Sequence, residues 1–151
     1  MSTVTTVKTA IINLLRADAD IQAMLGKDRR GNIPVYAGFE EHKIHKPCIT
    51  VDDVAETAEV SALNDDYDGQ TRREWCYLTV QIDCWAGNRD LRDQLATQIR
   101  KVILKGQATL RTEGGVIMVS PPSVTILDEP DARPPIWRKS LRYRLWYVLE
   151  A

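Results

Sequence analysis

Three clusters of polar residues are of the types from which sites are built. His42, His45 and Cys48 stand at three-residue intervals and offer two imidazoles and a thiol, all zinc donors. A structural zinc site needs four donors, usually including a second compact pair, and no fourth stands nearby. Pro47 also restricts the geometry, so the triplet reads as surface histidines in a charged loop. Asn64, Asp66 and Asp68 followed by Gly69 place oxygens at alternate positions before a glycine, the opening of a calcium loop. The acid that would close such a loop falls at Trp75, and the flanks read as strand where that motif has helices. Asp52-Asp53 is the third cluster. Adjacent residues of a strand point to opposite faces, so these carboxylates cannot share an acid–base site. The sequence also lacks a Gly-x-Ser-x-Gly elbow, a phosphate loop and a dinucleotide fingerprint. No catalytic residue, metal or cofactor is assigned.

Large side chains on sheet surface are the stronger signal. From Trp75 to Ala86 the residues alternate strictly, with Cys76, Leu78, Val80, Ile82, Cys84 and Ala86 on one side and Trp75, Tyr77, Thr79, Gln81, Asp83 and Trp85 on the other. A period of two in β-branched and aromatic residues predicts a strand. Trp137 to Leu149 alternates as cleanly, with Leu141, Tyr143, Leu145, Tyr147 and Leu149 opposite Arg142, Arg144, Trp146 and Val148. If helices cover the Cys76–Cys84 and Leu141–Leu149 sides, the other face carries Trp75, Tyr77, Trp85, Arg142, Arg144 and Trp146. Aromatics and arginine are enriched where proteins meet, because they bury much area and keep a polar handle. The face reads as a subunit interface; cover by the protein's own loops, or a small-molecule groove, are the alternatives.

The elements that position this face follow from periodicity. After Ala86-Gly87-Asn88 breaks the strand, Leu91, Leu95, Ile99, Val102 and Ile103 recur at helical spacing. Asn88 or Asp90 can cap that helix, and Gly106 sits where a left-handed C-cap belongs. Strand and helix should pack together as the centre of a single domain covering 1–151. Upstream, Val7, Ala10, Ile11, Leu14 and Leu15 form the stripe of a first helix, capped by Ser2 or Thr3. Asp20 can cap a second turn closed by Gly26, and Lys27–Asn32 is a polar turn, read as solvated. Short strands are expected at Ile33–Tyr36, Cys48–Val54, Val116–Val119 and Val124–Leu127, with Asp128–Pro135 an extended loop. Residues 56–72 read as a long flexible loop or hairpin, of the length that in compact domains is usually functional. The whole predicts an α+β fold: a mixed, mostly antiparallel sheet of four to five strands with two main helices on one face.

Composition bounds the function. The chain has 151 residues and a formal net charge of -1, which argues against the clustered positive charge of a broad nucleic-acid footprint. No apolar run approaches the ~20 residues of a membrane span, and the polar Met1–Thr6 start is not a signal peptide. The three cysteines are an odd number. Cys76 and Cys84 share a strand face but stand too far apart to pair, so free buried thiols in a reducing cytoplasm are expected.

The order of elements carries a resemblance. A helix with Ala10-Ile11-Ile12-Asn13-Leu14-Leu15-Arg16-Ala17-Asp18 leads to Ile21-Gln22-Ala23-Met24-Leu25-Gly26, then to Ile33-Pro34-Val35-Tyr36 and Lys46-Pro47-Cys48-Ile49-Thr50-Val51. Val80-Gln81-Ile82-Asp83-Cys84-Trp85-Ala86, a helix, and Arg142-Tyr143-Arg144-Leu145-Trp146-Tyr147 follow. Over most of its length the chain resembles the tail-completion family of long-tailed phages and prophages, also called tail terminators or head–tail joining proteins. The resemblance implies a non-enzymatic virion protein, assembled in the host cytoplasm, that forms a ring, commonly of six subunits, at the head-proximal end of the tail tube. There it would stop tail polymerisation and join tail to head. Its partners would be itself, the tail tube protein and a head-completion or neck protein, with DNA only as passing cargo. A connector or stopper ring of the same neck is the rival, and a small ligand-binding domain a further one. On this reading Trp75, Tyr77, Trp85, Arg142, Arg144 and Trp146 meet a neighbouring subunit, and Asp65, Asp66, Tyr67, Asp68 and Arg72 project to a partner.

Overall fold

In the computed structural model, the structure describes residues 3–38, 47–59 and 73–150. Two long central strands organise it: β3 (Arg73–Ala86) and β6 (Trp137–Glu150), paired antiparallel over their whole lengths from Arg73↔Glu150 to Ala86↔Trp137. The other side of β3 pairs antiparallel with β2 (Cys48–Glu59), and β1 (Val35–Ala37) adds to β2 in parallel. β4 (Val116–Val119) and β5 (Ser123–Ile126) both pair with β6, so the six segments marked as strands in the sequence make one six-stranded sheet. β4 and β5 share one edge of β6 end to end, separated at Pro121-Pro122. Val119 pairs with Leu145 and Ser123 with Arg142, so the edge segments use one residue more than β6 across the break. Proline has no amide proton for a ladder, which fits its place there. The fold is mixed α+β with a mostly antiparallel sheet.

One sheet face is covered by helices. α1 (Val4–Ala17) starts at Thr3, whose hydroxyl accepts from the Thr6 amide, and buries Val7, Ala10, Ile11, Ile12 and Leu15. α2 (Ala19–Leu25) is capped by Asp18, through the Ile21 amide, and not by Asp20; Gly26 closes it at φ 67°. α3 (Arg89–Lys105) is capped by Asn88 and buries Leu95, Ile99, Val102 and Ile103 against β3 and β6. Their facing partners are Cys76, Leu78, Val80, Ile82 and Cys84 of β3 and Leu141, Tyr143, Leu145 and Tyr147 of β6. This is the core that the two alternating segments announce.

Three local features differ from expectation. Gly106 has φ -90° and is not a left-handed cap, because the chain turns directly into a further helix, α4 (Gln107–Gly114). The left-handed glycine is Gly115, at φ 68°. Gly106 is small for another reason: a Cβ there would lie 2.4 Å from Leu14 Cδ2 and 2.9 Å from the Val102 carbonyl oxygen. β2 continues past Val54 to Glu59, through a register irregularity between Asp53 and Ala55 that disrupts the period of two. The first four residues of the segment expected as loop or hairpin are therefore strand, and residues 60–72 lie outside the described residues.

Candidate interaction face

The helix-free face can be read row by row across β2, β3 and β6. Thr50, Asp83 and Ser140 form one row; Asp52, Gln81 and Arg142 the next; then Ala55, Thr79 and Arg144; then Thr57, Tyr77 and Trp146. Trp75 and Val148 follow at the far end, and Cys48, Trp85 and Arg138 stand at the other. All six residues singled out from the sequence thus belong to one face, because every one has the parity opposite to the buried Cys76–Cys84 and Leu141–Tyr147 sets.

They do not share one environment. Trp75 is 39% exposed, Tyr77 and Trp146 are half-buried, and Arg142 and Arg144 are exposed. Trp85, singled out from the sequence for the subunit contact, is only 6% exposed and is packed inside the subunit. Its indole nitrogen donates to Thr50 Oγ1 at 3.1 Å, and the Arg138 guanidinium lies 4.6 Å from the ring centroid. That stacking is a cation–π contact. Arg138 in turn approaches Asp83 at 3.6 Å, and Asp83 accepts twice from the Gln81 side-chain amide at 3.1 Å. Buried Thr50, Asp83 and Ser140 complete a polar, tied-down end of the face.

The opposite end is open and apolar. Tyr77 and Trp146 meet edge to face, with ring centroids 5.0 Å apart and planes at 81°, the arrangement aromatic quadrupoles favour. Met118, 54% exposed, stands beside Trp146 on β4, and Val148 follows Trp146 on the same face. Met118 and Val148 extend the patch beyond the residues that sequence reasoning listed. Val148 shares the parity of Trp146, a signal that was available. Met118 was hidden by the register irregularity between Val116 and Met118. Between the apolar and tied-down ends lie the arginines. Arg142 Nε donates to Gln81 Oε1 at 3.1 Å, and the Arg144 amide donates to Ser120 Oγ at 3.2 Å. Among the described residues no carboxylate lies within ion-pair distance of either guanidinium.

The polar clusters fall as follows. Asp52 and Asp53 do point to opposite faces: Asp52 joins the Gln81–Arg142 row, while Asp53 meets Lys8 of α1 at 2.8 Å. The Lys8 bond, helped by Asp53's own backbone amide, holds that carboxyl below its ordinary value. Cys48, Cys76 and Cys84 are buried. Burial pushes the Cys84 thiol up to about 12 and raises Cys76 as well. His42 and His45 lie outside the described residues, as do Asp65, Asp66, Tyr67, Asp68 and Arg72. Among the described residues no three His, Cys, Asp or Glu side chains converge as metal ligands, and no helix is long and apolar enough to cross a membrane.

Sequence reasoning also missed a charged cluster behind the tied-down end. Arg92, on the first turn of α3 and 4% exposed, pairs with Asp128 and, at 2.9 Å, with Asp93; Lys139 reaches Asp93 at 2.8 Å. Asp128 also accepts from the Arg138 amide at 2.9 Å. The cluster fastens α3 to the loop between β5 and β6, where Glu129 and Ile136 pair.

No family model matches the chain, and no curated protein matches it. Among solved structures it is similar to a chain from the virion of a native gene transfer agent (GTA) particle, with 94% of each chain covered, 12% identity and a TM-score of 0.48.

Proposed function

We propose that this chain is a structural virion assembly protein that closes the head-proximal end of a phage tail tube as a ring. The reading joins the sequence resemblance to one observation: a sheet face left uncovered by the subunit's own helices, apolar at Trp75, Tyr77, Trp146 and Met118 and cationic at Arg142 and Arg144. Half-buried aromatics beside arginine are the composition of interface centres. The protein acts by binding and transforms no substrate.

In this mechanism each subunit covers the aromatic end of its neighbour's sheet. A head-to-tail contact of this kind uses two different surfaces and closes when its rotation divides a full turn, giving six subunits by the resemblance. The Thr50–Trp85–Arg138–Asp83 end keeps the sheet from flexing while the open end is engaged. The closed ring stops addition of tail tube protein on one side and offers a neck protein a surface on the other, with DNA passing through the middle. The test is native mass measurement together with electron microscopy of the protein added to purified tail tubes. A closed ring seated on tube ends is the expected result. A monomer at high concentration that ignores tubes would overturn the reading, and a ring found only on portal complexes would reassign it to another layer of the neck.

A further inference from the structure

The sheet ends in two open strand edges, one on each side. In β5 all four residues are exposed, Val124 and Ile126 among them. The Leu127 amide donates to the Arg138 carbonyl and the Ser120 amide to the Arg144 carbonyl, so even-numbered residues of β6 bond this edge. By the alternation of an antiparallel ladder, the amides and carbonyls of Val124 and Ile126 then point away from β6. On the other side β1 stops opposite Val51, where Ile49 and Val51 bond it and leave Thr50 and Asp52 to bond Asp83 and Gln81. Past the irregularity the odd-numbered Thr79 and Tyr77 meet Ala55 and Thr57, so the backbone of Glu56 and Ala58 points outward. Among the described residues none of these four has a backbone partner on its outward side. Resting on the ring reading above, we infer that the β5 edge of one subunit pairs antiparallel with the outer β2 edge of the next, so that one sheet runs through the joint.

Topology and charge both support this. β2 and β6 run the same way, since each is antiparallel to β3, and β5 runs against both. A neighbour related by rotation presents its β2 in that same direction. It therefore meets β5 antiparallel and keeps its helices on the same side of the sheet. The two edges also differ in sign. Residues 52–58 carry Asp52, Asp53 and Glu56 and no base, whereas residues 138–144 of β6, which bear β5, carry four bases and no acid. Lys8 engages Asp53, and Asp83 and Asp93 engage Arg138 and Lys139. Asp52 and Glu56 on one edge, and Arg142 and Arg144 on the other, have no ion-pair partner among the described residues. Asp52 shares the helix-free side with both arginines, so joining the edges gathers opposite charges on one side of the sheet.

Pairing like edge with like is the competing geometry. Two β5 edges about a twofold axis bring Arg142 and Arg144 of both copies together, and two β2 edges gather their acids. Like-charge repulsion opposes both. A β5–β2 joint uses two different edges, so every subunit carries one of each and the chain of contacts has a direction. Pro121-Pro122 confines the pairing to β5: without amide protons the prolines interrupt the edge between β4 and β5 and leave a stretch of four residues. β4, with Met118, lies along the same side of β6, so a neighbour seated on β5 also stands beside the Tyr77–Trp146 patch.

The experiment uses the full chain, with native mass spectrometry as the readout. Wild-type protein forming rings establishes the premise; wild-type protein found only as monomer removes the ring reading itself. Val124→Pro removes an amide that no strand of the subunit uses, while Val124→Thr keeps it. Given wild-type rings, V124P is expected to drop the mass to a single subunit with an unchanged melting curve, and V124T to keep rings. Rings that survive V124P overturn the inference. So does equal loss in V124T, since the contact then rests on the side chain and not on the strand edge. The partner edge is tested by charge, R142E/R144E against D52K/T57K. Each reversal alone is expected to give single subunits, and mixing the two should restore rings containing both, because every joint then pairs opposite signs. Rings that survive either reversal, or a mixture that stays monomeric, overturn the assignment of β2 as the partner. Should V124P lower the melting temperature, the two charge reversals and their mixture decide alone.

Discussion

Arg92 and Asp128 are thirty-six residues apart in sequence, yet they form a buried ion pair that joins the first turn of α3 to the loop entering β6. Each is held by a second contact, Arg92 by Asp93 and Asp128 by the Arg138 amide, so neither charge is left half-satisfied. Their side chains are 5% and 16% exposed, which removes most of the solvent screening that weakens surface pairs.

Removing Asp128 leaves Arg92 with Asp93 alone. Asp128→Ala is expected to destabilise the fold by about 1.5–3 kcal/mol, the worth of a hydrogen bond to a charged group, with Arg92→Met milder because its apolar replacement leaves no buried cation. Urea unfolding of the two variants checks the order.

The same cluster sets a pH dependence. Burial would raise Asp128, but the Arg92 bond and the Arg138 amide overrule it and leave its carboxyl below the ordinary value; Lys139 and Arg92 do the same for Asp93. The unfolded chain therefore binds protons at a pH where the folded chain does not. The stabilisation is present above the ordinary carboxylate range and is lost as the pH falls through the lower folded values, from about pH 4 downward. Asp128→Asn should flatten the acid limb of a stability–pH curve and leave its slope between pH 6 and 8 unchanged.

Gly106→Ala tests a steric contact. The new methyl would sit 2.4 Å from Leu14 Cδ2 and 2.9 Å from a backbone oxygen, so a loss of about 1–3 kcal/mol is expected from overpacking. In a double-mutant cycle Leu14→Ala should relieve part of that loss, since it removes the closest atoms; fully additive effects would contradict the contact.

The tryptophans of the helix-free face should separate into two behaviours. Trp85→Ala empties an enclosed site and breaks the bond to Thr50, with an expected cost of about 3–5 kcal/mol in unfolding experiments. Trp75→Ala and Trp146→Ala should change unfolding far less than Trp85→Ala and, on the proposed function, shift rings toward single subunits on gel filtration.

The thiols give a simple probe of integrity. With Cys48, Cys76 and Cys84 all buried and Cys84 pushed up to about 12, a thiol reagent at pH 8 should label the native protein slowly and the urea-unfolded chain at all three positions. Rapid native labelling would show that the helix layer opens readily.

Much of this architecture was legible because it is local. The alternation at Trp75–Ala86 and Trp137–Leu149 fixed which side chains are inward, and Asn88 with the Leu95–Ile103 stripe placed α3. What was not legible depends on distant partners. Trp85 looks like a surface aromatic until Thr50 and Arg138 arrive on either side of it from β2 and β6. Arg92 looks like a solvated helix residue until Asp128 meets it. Gly106 reads as a cap because glycine after a helix commonly is one; its need here comes from Leu14, on another helix. The far half of β2 was hidden by the irregularity at Asp53–Ala55, which breaks the pattern that marks a strand.

The extra residue at Pro121-Pro122 has a consequence for insertions and deletions. Because side chains alternate with a period of two, the break decides which side of the sheet Val124 and Ile126 occupy: the side of their partners Leu141 and Lys139. The junction is thus a parity element. Losing one residue there would send both apolar side chains across to the side of Arg142 and Trp146, whereas losing two would return them to where they began.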